Sequence, residues 1–330
     1  MAGNSQPRAG ARLARSRTLL AALACAAMCV THAQEHSAVE MYGHLDIGLG
    51  KRSDDTMRIG RGYNNWLGWR GFEKVGKDLT AFFTVEARFD PDTGRQERAG
   101  TLMQGETTVG LRSEALGALR LGRALTPLWQ DVWEYEPWIN SGLNASLASY
   151  QTGSYSSDGV NDVRLDGADG SRFSNAVFYV TPIYRGWSMH IASEVEREAG
   201  ARRRGAGVAF NYASRAWAAE LAFDRNANGD KIRFAALSWE SGKLKVMGSV
   251  ARISFRDLDN ERVAMVAARY AFGTHSVRTG YGRNFRLDND KFSAGWVYHL
   301  SKRTRIYVDL YHERAAADAT GAAVGVTHGF

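Results

Sequence analysis

From Val39 to Gly50 the chain alternates without exception, with Val39, Met41, Gly43, Leu45, Ile47 and Leu49 interleaved between Glu40, Tyr42, His44, Asp46, Gly48 and Gly50. A period of two puts successive side chains on opposite faces of a β-strand, so the segment offers one apolar face and one mixed face. The pattern returns at 79–90, where Leu79, Ala81, Phe83, Val85, Ala87 and Phe89 share a side. It returns again with Trp217, Ala219, Leu221 and Phe223, with Phe292, Ala294, Trp296, Tyr298 and Leu300, and with Ile306, Val308 and Leu310. Sixteen segments of this kind can be read: 39–50, 64–73, 79–90, 104–113, 117–123, 174–183, 186–197, 204–213, 216–226, 230–240, 243–255, 260–272, 275–285, 290–300, 304–314 and 321–330. The last eleven follow one another every fourteen residues or so, the spacing of an antiparallel meander with strands of ~9 to 11 residues and tight turns. Segments 230–240, 243–255 and 260–272 alternate poorly, so their limits are loosely defined.

After residue 33 no stretch approaches the ~20 consecutive apolar residues of a membrane-spanning helix, whereas alternation is how a transmembrane barrel strand reads. Residues 1–33 have a basic start (Arg8, Arg12, Arg15, Arg17), an apolar run from Thr18 to Val30 and a small-x-small ending at Thr31-His32-Ala33. This is the form of an export signal cleaved before Gln34, and the run is too short to span a bilayer. Both cysteines, Cys25 and Cys29, lie inside it, so the mature chain 34–330 is expected to carry no disulfide. Removing four arginines and no acid lowers the net charge from +7 to +3. No Lys/Arg cluster of five or more remains, which argues against nucleic acid as a partner. A soluble sandwich or β-helix also alternates. Aromatics at segment ends (Trp66, Trp69, Trp187, Trp217, Trp296, Tyr298, Phe330), the leader and the absence of mature cysteine favour the membrane barrel.

Six strings in order narrow the class. They are Met41-Tyr42-Gly43-His44-Leu45-Asp46; Gly68-Trp69-Arg70-Gly71-Phe72-Glu73-Lys74-Val75-Gly76, followed by Leu79, Ala81, Phe83 and Glu86; and Val109-Gly110-Leu111 with Leu121-Gly122-Arg123 and Thr126-Pro127. The others are Arg172, Asn175 and Tyr179 with Pro182 and Gly186; Tyr298-His299-Leu300-Ser301-Lys302-Arg303-Thr304-Arg305-Ile306-Tyr307; and the ending Val324-Gly325-Val326-Thr327-His328-Gly329-Phe330. Across nearly the whole mature chain they resemble the general-diffusion porins of the Gram-negative outer membrane, in particular the neisserial and β-proteobacterial group.

The resemblance implies an all-β fold, a transmembrane antiparallel up-and-down β-barrel of about sixteen strands. It implies an outer-membrane homotrimer that passes small hydrophilic solutes and ions by passive diffusion, without catalysis or cofactor. Its surroundings would be membrane lipid and lipopolysaccharide, and Phe330, with Val324 and Val326, would form part of the signal read by the barrel assembly machinery. The family's constriction is a third external loop folded into the barrel, and in this chain the one long non-periodic stretch is 124–171. By the resemblance its acids, Asp131, Glu134 and Glu136 foremost, face basic residues of the wall, for which parity offers Arg70, Arg112 and Arg172. The plain alternative is that these acids are solvated or bind divalent cations bridging lipopolysaccharide. Two wall arginines expected of the family fall at Trp66 and near Gly105, so the basic ladder is thinned and the sign of ion selectivity stays open. The external loops after the third are very short, which suggests a less covered mouth or a narrower range of solutes. The inward small residues Gly280, Gly282, Gly295 and Gly325 are expected to leave open space.

Two further readings stand beside the channel. An outer-membrane lipase or protease would need a triad, but His44, His190, His275, His299, His312 and His328 are scattered and no GxSxG elbow occurs. A structural or adhesive barrel would need a plugged lumen. No metal-spaced Cys/His cluster, GxGxxG turn or P-loop is present in the sequence.

Overall fold

The computed structural model describes residues 37–53, 55–98, 100–139, 145–159, 170–197 and 200–330; the leader read at 1–33 lies outside them. Its strands are β1 (Ser37–Arg52), β2 (Arg58–Gly60), β3 (Trp66–Lys74), β4 (Thr80–Arg88), β5 (Thr107–Ser113), β6 (Gly117–Leu125), β7 (Arg172–Val180), β8 (Trp187–Glu194), β9 (Ala206–Ala213), β10 (Trp217–Arg225), β11 (Lys231–Ser241), β12 (Leu244–Ser254), β13 (Glu261–Phe272), β14 (His275–Asn284), β15 (Asn289–His299), β16 (Thr304–Arg314) and β17 (Ala319–Gly329).

Every neighbouring pair is antiparallel, and the sheet closes on itself where β1 meets β17, from His44 opposite Gly329 to Arg52 opposite Gly321. On its other side β1 pairs with β3, from Ser37 opposite Glu73 to His44 opposite Trp66. The three-residue β2 continues that ladder along the far half of β1, so the remaining sixteen strands form the barrel. Closure removes the free edges that a sheet in lipid cannot tolerate.

At one end of the barrel the turns are tight. Ser241 pairs with Leu244 around Gly242-Lys243, and Phe272 pairs with His275 around Gly273-Thr274. Gly242 and Gly273 each hold φ at +59°, the left-handed conformation that a two-residue hairpin with glycine first requires. The long connections lie at the opposite end, which by the convention of such barrels is external.

The outward face carries the alternating apolar set: Met41, Leu45, Val109, Leu121, Leu221 and Val250 are all exposed. Near the tight-turn end this face bears an aromatic belt. Trp187 meets Tyr212 at 4.9 Å between ring centroids, Trp217 meets Trp239 at 6.4 Å, and Tyr270, Phe272, His275, Trp296 and Tyr298 form a connected row. Trp66 does not join it. Its ring stacks on the inward-facing His44 at 4.7 Å and an interplanar angle of 15°, beside Tyr63.

The inward face of β11–β13 departs from the polar interior expected of a barrel. Ile232, Phe234, Ala236, Met247, Ala251, Ile253, Val263, Met265 and Ala267 point into the lumen and are buried. With lipid outside and the segment between β6 and β7 packed inside, the middle of these strands is apolar on both faces, which is why their sequence alternates so poorly.

Candidate functional site

The lumen owes its shape to the segment between β6 and β7, and its entry is built by a bulge. The β6–β7 register slips between Gly122 and Ala124; Gly122 lies at φ +130° and Asn175 opposite at φ +50°. A bulge bends and twists its strand, and this one turns the chain inward at the rim. Thr126 then takes an extended conformation and Pro127 occupies the first turn of helix α1 (Pro127–Asp131), where its fixed φ fits and its missing N–H is not needed. The Thr126 hydroxyl is not spent on the helix: it donates to the carboxylate of Asp224 on β10. A 3-10 turn (Val132–Tyr135) and a short helix α2 (Ser149–Thr152) follow.

Two apolar seats hold this segment against the wall. Leu128, Trp129, Val132, Tyr135 and Tyr155 pack on the inward side chains of β9–β13, among them Ala209, Phe234 and Ile253. Trp138, Ala145, Leu147 and Tyr150 pack on Met247, Met265, Ala267, Tyr311 and Ala319. The inward glycines of β14 belong to the second seat. A Cβ at Gly280 would stand 2.6 Å from Leu147 Cδ1, and one at Gly282 would collide with Tyr150. Gly295 is likewise overlain by Asp309 and Arg278, and Gly325 by Tyr307. The open space read from these four glycines is therefore occupied: small residues admit the loop and its clamps.

Polar clamps fix the same contact. Asp309 accepts from Trp138 Nε1 at 2.9 Å and from Arg278 in bidentate fashion at 2.8 and 2.9 Å, while Arg278 also donates to the Pro137 carbonyl at 3.2 Å. Its guanidinium lies 5.1 Å from the Trp138 ring. Tyr150 donates to Glu313 at 2.8 Å, and Ser154 donates through its amide and its hydroxyl to Glu261, each at 3.0 Å.

The wall across from the loop has its own inward segment. Gly62 N–H donates to Asp46 at 3.0 Å, Asn65 bonds both the amide and the carbonyl of Asp46, and Tyr307 donates to the Asp46 carboxylate at 2.8 Å. Tyr63 stands beside the His44–Trp66 stack. The chain between β2 and β3 thus folds inward over the β1–β17 seam, and Trp66 helps to anchor it where the family was expected to place a wall arginine.

The six charged residues singled out from the sequence take separate positions. Arg70 pairs with Glu40 and covers the Tyr42 ring at 4.7 Å, and Arg112 stands exposed over Phe82 at 5.7 Å. Arg172 is buried at the root of the loop, where it donates to the carbonyl of Gly105 and to Ser171. A Cβ at Gly105 would run into Glu86, so this glycine also makes room in the wall. Asp131 lies 3.4 Å from His190 on β8, and Glu134 lies 3.4 Å from Lys245 on β12, whose ammonium also donates to the Glu134 carbonyl at 2.8 Å. Glu136 is buried and turns back to accept the Leu147 amide at 2.9 Å. Asp131 and Glu134 therefore meet His190 and Lys245, which sequence parity did not single out; β12, which carries Lys245, is among the strands that alternated least. Burial, and secondarily the charge of Glu134, raises the Asp131 carboxyl from its ordinary 3.8 to about 7. Asp162, Asp166 and Asp169 lie outside the described residues.

Inward cations recur in the tight-turn half of the barrel. Lys245, Arg269 and Arg278 stand directly opposite one another on β12, β13 and β14. Arg70, Arg112, Arg120 and Arg305 lie on inward positions of β3, β5, β6 and β16, and Arg120 is held by Glu106 at 2.8 Å.

A closed barrel whose lumen is narrowed by its own third loop and lined with charge has close precedents. The family model for Gram-negative porins matches residues 18–318. The chain belongs to the Gram-negative porin family. An outer membrane porin protein of Bordetella pertussis is 26% identical over 391 residues, covering 95% of this chain and 100% of that relative. Among solved structures, the anion-selective porin from Comamonas acidovorans superposes with a TM-score of 0.76 at 22% identity, over 89% of this chain and 100% of that one. The trimer form of OmpT, an outer membrane protein of Vibrio cholerae, gives 0.64 at 13% identity over 90% and 100%. This porin is thus an outer-membrane channel for passive diffusion of solutes, a sixteen-strand antiparallel barrel closed in the manner of its relatives.

Proposed function

We propose that this porin favours anions and that its narrow section lies where the inward loop faces the cationic positions of the tight-turn half. One observation carries the reading. Arg112, Arg269 and Arg305 point into the lumen with no hydrogen-bonded or ion-paired acid among the described residues, whereas of the loop carboxylates Glu134 is taken up by Lys245, Glu136 by the Leu147 amide, and the Asp131 carboxyl is raised by burial to about 7. Charges that line a water-filled passage with low-dielectric walls set the local concentration of counter-ions, and the side with unmatched charge decides the sign. Arg70 is weakened by Glu40, while Arg172 and Glu136 shape the loop rather than the field. The anion selectivity of the Comamonas relative fits the same sign.

Three further assignments belong to the proposal: a homotrimer, as for the Vibrio cholerae neighbour; export directed by residues 1–33 before assembly of 34–330; and recognition of Phe330 by the assembly machinery. The last is supported by the C-terminal seam, where Phe330 exchanges two backbone hydrogen bonds of 3.1 Å with Gly43 and lays its ring over that glycine.

Liposome swelling tests the selectivity with an anionic and a cationic sugar derivative of equal size. The anionic one should enter faster, and Arg112→Gln, Arg269→Gln and Arg305→Gln combined should erase the difference. Faster entry of the cation through the unaltered porin would sink the reading.

A further inference from the structure

The lumen wall across from the constricting loop carries an aromatic row that passage of water and small ions does not need. Trp66 stands directly opposite His44, and the two rings stack at 4.7 Å and 15°. Tyr63 closes on both, edge-on to His44 at 4.7 Å and tilted against Trp66 at 5.5 Å. Two residues along β1, Tyr42 stands opposite Gly68, and its ring lies where a side chain on that glycine would be. Gly68 thus seats Tyr42 between Trp66 and Arg70 on the inward face of β3, and the Arg70 guanidinium covers the Tyr42 ring at 4.7 Å. The four rings are only half-buried, whereas Tyr307 and Tyr311, the inward tyrosines of β16, are buried.

This row keeps its polar handles free. Among the described residues the Trp66 indole N–H and the Tyr63 hydroxyl have no hydrogen-bond partner. Thr327 holds the His44 ring through Nε2 at 2.8 Å. Arg305 stands opposite Thr327 and within electrostatic reach of both His44 and Tyr63. The charge of Glu134 on the loop also reaches Tyr63, so the row borders the narrow section. The acids of this wall are engaged: Glu40 with Arg70, Glu86 with the Tyr42 hydroxyl at 3.1 Å, and Asp46 with the Tyr307 hydroxyl at 2.8 Å.

A guanidinium with no acid of its own matches a carboxylate, but it treats all small carboxylates much alike. Aromatic side chains add a second criterion, because ring pairs in offset or edge-on contact gain more than their buried area alone supplies. Free indole and phenol donors beside the cation give the carboxylate further hydrogen bonds. A site on a conduction path must also release what it holds, which suits a few half-open rings better than a closed pocket.

We propose that Tyr63, Trp66 and Tyr42, with Arg305, form a transit subsite for aromatic carboxylates, the solute ring resting on the row and its carboxylate on the guanidinium. The inference rests on the anion preference proposed above: that reading supplies the charge, and the row supplies the selection among anions.

The test measures block of the chloride current through the refolded porin in a planar bilayer by three solutes of similar size. Benzoate carries ring and charge, cyclohexanecarboxylate the charge alone, and benzyl alcohol the ring alone. Benzoate should half-block at a concentration about tenfold below that of cyclohexanecarboxylate, and benzyl alcohol should not block in that range. Arg305→Gln should weaken both carboxylates and leave their ratio. Trp66→Leu should close the gap, Trp66→Phe should keep most of it, and Trp187→Leu in the outward belt should leave it unchanged. Heat-modified gel mobility reports the folding of each variant, and Tyr63→Leu, a change outside the strands, should narrow the gap in its own right. Equal block by the two carboxylates, block by benzyl alcohol at the benzoate concentration, or a gap that survives both leucine variants of the row would each overturn the assignment. The reversal potential in potassium chloride separates the two readings. An anion-selective channel with no gap overturns the subsite alone, and a cation-selective channel that keeps the gap contradicts the anion preference alone.

Discussion

At Asp131 a single carboxyl ties loop position to pH. Its value in the folded channel, about 7, stands above the ordinary 3.8, so the folded state holds the proton more tightly than the unfolded one. The corresponding contribution is fully present below pH ~4 and is lost as pH rises through ~7. Above that, Asp131 is charged in a pocket that also faces Glu134 of its own turn, Glu220 and Asp224 of β10 and His190 of β8. Protease cleavage within 126–171 is therefore expected to rise between pH 5 and pH 8, and Asp131→Asn should flatten the profile; a slope surviving that substitution would place the titrating group elsewhere. Gly282 tests the seat from the other side. A side chain there meets Tyr150 next to its main chain, so Gly282→Val should displace α2, cost about 1–3 kcal/mol by overpacking and alter single-channel conductance. At this scale the sequence was partly legible. Parity placed Arg70 and Arg112 inward, but the partners of Asp131 and Glu134 come from strands more than fifty residues downstream, and no local pattern announces them.

Among the elements, the inward loop depends on the Trp138–Asp309–Arg278 clamp as much as on its apolar seats. Asp309 is nearly fully buried, and removing its arginine leaves a carboxylate facing Trp138 alone. Arg278→Met should then cost about 3 kcal/mol or more in loop docking, seen as noisier single-channel current and a lower temperature for the folded-to-unfolded gel shift. Unaltered current noise would mean that the apolar seats hold the loop unaided. Strands such as β1, β4 and β15 were readable because their two faces meet different solvents, lipid and water. For β11–β13 the faces meet lipid and loop, both apolar, so the period of two fades although the strands are long and regular. The long non-periodic stretch marked the loop as such, but its path depends on a bulge at Gly122 and on small residues in β14, whose sequence reads equally well as empty lumen.

For the molecule as a whole, closure through β1 and β17 makes the last residue part of the first strand's environment. Phe330→Ala leaves the backbone ladder in place yet removes the ring that covers Gly43, and it is expected to lower the yield of assembled barrel in cells more than the refolding yield in detergent; equal losses would assign the ring to seam packing alone. The most direct measurement is single-channel recording of the refolded porin in a planar bilayer, with the reversal potential read across a salt gradient. Stepwise open-channel conductance is expected, with a reversal potential of the sign set by anion preference. A folded barrel that conducts nothing would contradict the diffusion channel, and a cation-selective reversal would contradict the control of ion sign by Arg112, Arg269 and Arg305.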